Sequence, residues 1–261
     1  MVQFSENCIQ WNNNEFEMFT EVLSLLADSM DNLLIKEGNV RQYSNEKRYI
    51  LNIDISSLIS DKSILLFGIR DKARLLDTLR KQEAEVKFIF SKNKYEIVAD
   101  VTTISITPLQ ESLFRHFYLD KDEYDKLLDD YQIIGEYDLE NKIANRLSTF
   151  STALASRLLR IEFGEDIVFK ITASDNNSPT VIKLFSIKND SEIRNYYSMI
   201  LTKSIIVSQP KIKMSILVSP GKKKLAIRIN GELRNNDIVI PLEIISFGDL
   251  IEEDGSEILN F

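Results

Sequence analysis

Apolar and polar residues alternate most regularly over residues 86–106, VKFIFSKNKYEIVADVTTISI. The alternation is interrupted at Lys92-Asn93-Lys94, which predicts an antiparallel hairpin, and a further strand follows from Val101 to Ile106. A period of two places one set of side chains on a buried face, so this stretch belongs to a half-buried sheet. Upstream the period changes. Phe16, Phe19, Val22, Leu23, Leu26 and Met30 fall on one face of a helix spanning Glu15–Met30, with Glu17, Glu21 and Asp28 opposite and N-cap candidates at Asn12, Asn13 and Asn14. Met1–Trp11 reads as an opening strand that buries Trp11 and Cys8. Short strands follow at Asn32–Lys36, Val40–Ser44 and Arg48–Ile55, and a second helix runs over Arg70–Ala84 with Leu75, Leu76 and Leu79 as its apolar stripe.

The same order returns in the second half. A helix is predicted over Asp138–Leu158, with Ile143, Leu147, Phe150, Leu154 and Leu158 on one side. Strands follow at Leu159–Phe163, Ile167–Thr172 and Thr180–Ser186, then a short helix between Glu192 and Lys203. A hairpin, Lys211–Val218 and Leu225–Ile229, and a strand over Asp237–Ile245 close the series. Each half therefore reads as helix, strands, helix, hairpin and closing strand. The fold class is α+β, with two similar domains at 1–108 and 135–250, a connector at 109–134 and an acidic tail at 251–261.

The connector region is distinct in composition. Leu109–Tyr131 holds seven acidic and three basic residues together with Leu113, Phe114, Phe117, Tyr118, Tyr124, Leu127 and Leu128. One or two short helices are expected there. Asp120, Asp122, Glu123 and Asp125 lack the glycine-assisted turn and ligand spacing of a calcium loop, so no metal is expected.

The remaining inventory points away from catalysis. With eight glycines among 261 residues there is no GxGxxG, no GxxxxGK[ST] and no GxSxG. His116 and Cys8 are the single histidine and cysteine, which leaves no triad, no disulfide within the chain and no zinc cluster. The chain reads as a non-enzyme without a cofactor. No apolar run approaches the ~20 residues of a membrane span, and the N-terminus has no signal-like region. A reducing, cytoplasmic setting is expected, in a host cell if the protein is viral. The net charge of −8 opposes nucleic-acid binding unless cations gather on one surface. One such surface is visible, since five basic residues against three acidic ones occur between Ile69 and Ala84.

The series from Ile50 to Pro108 resembles the first-domain core of DNA polymerase sliding clamps of the bacteriophage kind, and the order of elements extends the resemblance to the whole chain. Clamps of this kind and of the proliferating cell nuclear antigen type build each domain from two helices packed on antiparallel sheets, the DNA-clamp fold. Three two-domain subunits form a ring around duplex DNA, with helices lining the hole. The resemblance implies a homotrimeric processivity factor for DNA replication that tethers a DNA polymerase and is opened by a clamp loader. It implies Glu15–Met30, Arg70–Ala84, Asp138–Leu158 and Glu192–Lys203 as lining helices. Arg70, Arg74, Lys81, Lys142, Arg146 and Lys203 are then the candidate DNA contacts. Val101, Ile104 and Ile106 on one strand, and Val181 and Ile182 on another, become candidate subunit-interface residues. A partner pocket is expected between the domains, beneath the connector; Ile258, Leu259 and Phe261 of the tail are candidate competitors for it, with a disordered tail as the favoured alternative reading. Two features depart from the pattern: the acidic outer side of the first helix and the length and charge of the connector. A clamp-like accessory protein acting as a monomer, or an unrelated α+β interaction protein, fits the same residues.

Overall fold

The computed structural model describes residues 7–27, 30, 32–36, 38–44, 46–59, 64–68, 86–90, 94–99, 101–110, 112, 116–140, 142–143, 145–146, 149–150, 158–173, 180–201, 212–219, 221 and 223–253. The chain divides into two compact units. The first comprises 1–47, 51–120 and 233–242, and the second 48–50, 121–232 and 243–261.

In the first unit, β1 (Asn7–Trp11) leads directly into α1 (Asn13–Ala27). Asn12 starts the helix with a reciprocal cap: its Oδ1 accepts from the Glu15 N–H at 3.0 Å, and its own N–H donates to Glu15 Oε2 at 2.8 Å. Two orphan donors of the first turn are thereby satisfied. Trp11 anchors the helix to the sheet. Its ring stacks on Phe19 at 4.6 Å and on Phe88 at 5.6 Å, and its indole N–H donates to the Leu58 carbonyl at 2.9 Å. Cys8, expected to be buried with Trp11, is exposed. It is three residues from Trp11 in an alternating strand and so points to the opposite face.

Four strands, β2 (Asn32–Lys36), β3 (Asn39–Tyr43), β4 (Tyr49–Asp54) and β5 (Ile64–Gly68), run in the spatial order β5-β2-β3-β4. β5 is not among the predicted strands. Its sequence, ILLFG, is a continuous apolar run with no alternation to mark it. The β2–β3 turn needs Gly38, whose φ is +72° and where a Cβ would meet Ser56 Cα at 2.8 Å. β6 (Val86–Phe90), β7 (Tyr95–Ala99) and β8 (Thr102–Ile106) join β1 in a second sheet, β1-β6-β7-β8. The hairpin register is the one the alternation predicts, with Phe88 opposite Ile97 and both buried. The predicted helix Arg70–Ala84 lies outside the described residues.

The second half of the chain repeats this plan with every strand number raised by eight. β9 (Gln132–Leu139), β14 (Ile212–Ser219), β15 (Lys224–Asn235) and β16 (Ile238–Asp249) take the order β9-β14-β15-β16, the counterpart of β1-β6-β7-β8. β10 (Leu158–Phe163), β11 (Asp166–Ala173), β12 (Thr180–Lys188) and β13 (Tyr196–Leu201) take the order β13-β10-β11-β12, the counterpart of β5-β2-β3-β4. Helical residues between 142 and 150 occupy the place of α1. The fold is therefore two similar α+β domains on antiparallel sheets. β17 (Ile251–Glu252) is an addition, pairing with Tyr197 and Tyr196 of β13.

Two helix expectations are corrected here. The helix placed over Asp138–Leu158 is narrower, because Asp138 and Leu139 complete β9 opposite Lys213 and Ile212, and Leu158 opens β10. The helix placed between Glu192 and Lys203 is replaced over its centre by β13, which pairs with β10 from Leu158↔Leu201 to Phe163↔Tyr196. The residues before it are held as a loop. Asn189 donates to the carbonyls of Gly164 and Ile193, while Arg194 donates to those of Asn189 and Ile193. These side chains satisfy carbonyls that a helix would use for itself.

Gln42 is a buried polar residue on which the β2–β3 pair depends. The two strands are registered at Lys36↔Asn39. Further along, the Gln42 amide substitutes for ladder bonds: Oε1 accepts from the Leu34 N–H at 2.7 Å and Nε2 donates to the Asn32 carbonyl at 3.2 Å. Gln42→Ala should lower unfolding free energy by about 1–3 kcal/mol, because it leaves one buried and one part-buried backbone group without this partner. Chemical denaturation of the two proteins measures this, and an unchanged midpoint would remove the assigned role.

Candidate functional site

Lys142 and Arg146 are both helical and exposed, one turn apart. Ile143 and Phe150 are half-buried on the other side of the same segment. The Ile143 N–H donates to the Glu140 carbonyl at 2.8 Å at its start, and Thr149 Oγ1 donates to the Asn145 carbonyl at 2.9 Å within it. The exposed surface is thus two cations among the neutral polar Asn145 and Thr149. Arg70, Arg74, Lys81 and Lys203 lie outside the described residues. On α1 the acidic side is real: Glu17 and Glu21 are exposed, and the Glu17 carboxylate accepts from the Asn235 amide at 3.1 Å. A neutral amide, rather than a basic side chain, partners it.

The other candidate residues lie at sheet edges. Among the described residues β8 is the last strand of β1-β6-β7-β8, and β12 the last of its own sheet. An edge strand presents unpaired N–H and C=O groups, and proteins normally guard such an edge with charge, proline or a bulge. β8 has no such guard, because residues 101–107, VTTISIT, contain neither charge nor proline. Ile104 and Ile106 are half-buried, while Thr103 and Ser105 are exposed. Val101 belongs to the turn before β8 rather than to the strand, and is 92% exposed. On β12, Val181 is 52% exposed and Ile182 half-buried, facing Thr172 and Ile171 of β11.

β12 is more charged than β8. Lys183 stands opposite Lys170 across a register shift in β11–β12. Like charges directly opposed are unfavourable, and Lys170 is drawn instead to Glu162 of β10. Glu162 also binds Arg160, which bonds Glu253 at 2.8 Å and lies 3.9 Å over the Tyr197 ring. This charge chain fastens the residues around β17 to the sheet. At the end of β12, Lys188 pairs with Asp190 at 2.9 Å, and that hydrogen bond raises its pKa above the ordinary lysine value. Among the described residues no three His, Cys, Asp or Glu side chains gather as a metal site.

The connector is docked at both ends. In the first unit, the Tyr43 N–H donates to the Phe117 carbonyl at 2.8 Å and the Leu119 N–H to the Arg41 carbonyl at 2.9 Å, a one-bridge strand on β3. Lys36 and Lys47 lie over the Tyr118 and Phe117 rings, each 5.5 Å from the ring centre. In the second unit, α2 (Lys121–Asp125) and the turns after it lay Tyr124, Leu128 and Tyr131 on Leu217, Ala226, Ile245 and Phe247. The short helix agrees with the sequence reading. The docking surfaces are new, because the aromatic residues are visible in the sequence but their partners lie far away in the chain, before the connector for one part and after it for the other.

Comparison with solved structures defines the class. The chain superposes on proliferating cellular nuclear antigen from Entamoeba histolytica with a TM-score of 0.60, covering 93% of this chain and 98% of that one at 12% identity. It superposes on A. fulgidus PCNA bound to the C-terminal region of FEN-1 with a TM-score of 0.58, covering 95% and 99% at 11% identity. A putative DNA polymerase III β subunit from Eubacterium rectale gives 0.57, covering 97% of this chain and 67% of that one at 12% identity. No family model matches the sequence, and no curated protein is similar to it in sequence. The chain has the sliding-clamp fold. No helix among the described residues is long and apolar enough to cross a membrane.

Proposed function

We propose that the chain is a DNA sliding clamp, a ring-forming processivity factor without catalytic activity. The observation that carries this reading is the pair of terminal strands. β8 ends a sheet of the first domain and β12 ends one of the second, so that one copy's β8 can pair with the next copy's β12. Such head-to-tail contacts generate a ring when the rotation closes. The expected ring is a homotrimer. Val101, Ile104 and Ile106 lie on one side of each junction, and Val181 and Ile182 on the other. The domains are assigned as 1–108 and 135–250, joined by 109–134.

Double-stranded DNA passes through the hole without being read in sequence. A closed ring retains DNA topologically, so sparse cations among neutral polar groups suffice and tight phosphate contacts are unnecessary. Lys142 and Arg146 provide this on one helix, and Arg70, Arg74, Lys81 and Lys203 are assigned to the same role. Diffuse attraction of this kind is salt-screened. A DNA polymerase and a clamp loader are the partners, and tethering them raises their effective concentration at the DNA. The A. fulgidus neighbour carries the C-terminal region of FEN-1, which supports recognition of partner segments.

Two experiments test the reading. Mass measured in solution should be about 90 kDa, three copies of a 30.1 kDa chain. Ile104→Pro and Ile182→Pro, made singly, should shift the population to monomer where the lost N–H points at the neighbouring copy. A 30.1 kDa wild-type species at every concentration would leave the clamp-like monomer as the better account. Separately, Lys142→Ala with Arg146→Ala should leave the mass unchanged and weaken retention on circular DNA. It should also reduce the slope of log affinity against log salt by about 1 for each phosphate that is no longer neutralised. An unaltered slope would take this helix off the DNA.

A further inference from the structure

Counterpart helices of the two halves expose charges of opposite sign. Beyond its first turn, α1 exposes Glu17 and Glu21, four residues apart, and the helix contains no lysine or arginine. Glu15 is different, because it serves the cap with Asn12. The helix dipole favours an acid only in the first turn, and like charges four residues apart repel. Helix electrostatics therefore accounts for neither Glu17 nor Glu21. Asn235, which donates to the Glu17 carboxylate at 3.1 Å, is neutral and leaves the charge uncancelled. The helical residues of the second half show the reverse. Lys142 and Arg146 are exposed four residues apart, Asn145 and Thr149 beside them are neutral, and residues 141–150 include no acid. Two like-charge pairs of opposite sign thus stand at the same place in the repeated plan, and each opposes the local stability of its helix.

We propose that Glu17 and Glu21 form a repelling surface that sets the path of duplex DNA. On the clamp reading, which this inference requires, both helices face the hole. Phosphates are drawn to Lys142 and Arg146 and held off α1, so the duplex lies nearer the cationic helix of each copy. The repulsion reaches over one screening length, ~8 Å at physiological salt, so it prevents close contact with α1 without barring passage. Its use is in sliding. Every phosphate neutralised by a side chain is a contact that must break as the ring advances, and counterions must return to it. A helix that refuses phosphate keeps the number of such contacts low.

The probe is a short labelled linear duplex, which a ring can thread from its ends, titrated with the full chain over a range of salt. One variant is Glu17→Gln/Glu21→Gln. Its control is Glu165→Gln/Asp166→Asn, which removes the same charge from the exposed turn between β10 and β11. All four side chains are exposed and stay polar, so the melting temperature of either variant should not fall below that of wild type. The α1 variant should bind the duplex at least about threefold more tightly at low salt, with the gain shrinking as salt rises. The control should bind as wild type does. Glu17→Lys/Glu21→Lys should go further and steepen the slope of log affinity against log salt by about 1 for each phosphate it newly neutralises. Equal gains in the α1 variant and the control would reduce the effect to net charge. No gain in the α1 variant, and no steeper slope with lysine, would take α1 off the path of the duplex. Either result, with the trimer mass intact, overturns this proposal and leaves the clamp reading standing. A wild type with the mass of one chain overturns the clamp reading, and this proposal with it.

Discussion

A sheet in water must end somewhere, and the strand at its end carries a row of backbone donors and acceptors with no partner inside the sheet. Most of what distinguishes this chain follows from how its ends are treated. The interior strands are determined by burial: Phe88, Ile97, Phe169, Ile171, Ile216 and Ile227 sit on inner faces, and a slip of one residue would turn each set outward. With the registers held in this way, the last strands are fixed as well. β17 covers one end, on β13. Among the described residues β8 and β12 are terminal strands, as are β1, β5 and β9 at other sheet ends, and β8 carries no charge along its length.

The repeated strand order gives this arrangement its meaning. Because each strand of the second half is the counterpart of one eight earlier, the two halves offer terminal strands of different kinds, β8 from one sheet type and β12 from the other. Unlike ends are what the proposed head-to-tail assembly would use, whereas like ends would favour a closed two-fold pair. The charge distribution fits the same scheme. An overall charge of −8 disfavours nucleic acid in general, and the exposed cations at Lys142 and Arg146 alternate with the neutral Asn145 and Thr149.

The connector shows a different use of packing. Its first part is held by backbone pairing to β3 and by two lysines over aromatic rings, and its second part by three side chains on a sheet face. Backbone pairing fixes the first part by register, and side-chain packing with the Tyr124–Glu243 hydrogen bond fixes the second.

Local pattern determined the parts of this protein that depend on near neighbours. The cap at Asn12, among the three asparagine candidates, the alternation of 86–106 and the helical spacing of Ile143 and Phe150 could be read directly, because each is set by contacts within a few positions. The sequence also contained the bare edge of β8, visible as a run without charge. What it could not decide were choices settled by distant partners. YYSMIL at 196–201 suits a helix or a strand, and it is a strand because β10 offers it a ladder. ILLFG at 64–68 has no period, and is a strand because β2 pairs with it. Cys8 faces outward because Trp11, three residues on, is claimed by Phe19 and Phe88. Which strands end the sheets, and which face the connector covers, likewise depend on pairings between residues far apart in the chain, and only the tertiary structure brings those together.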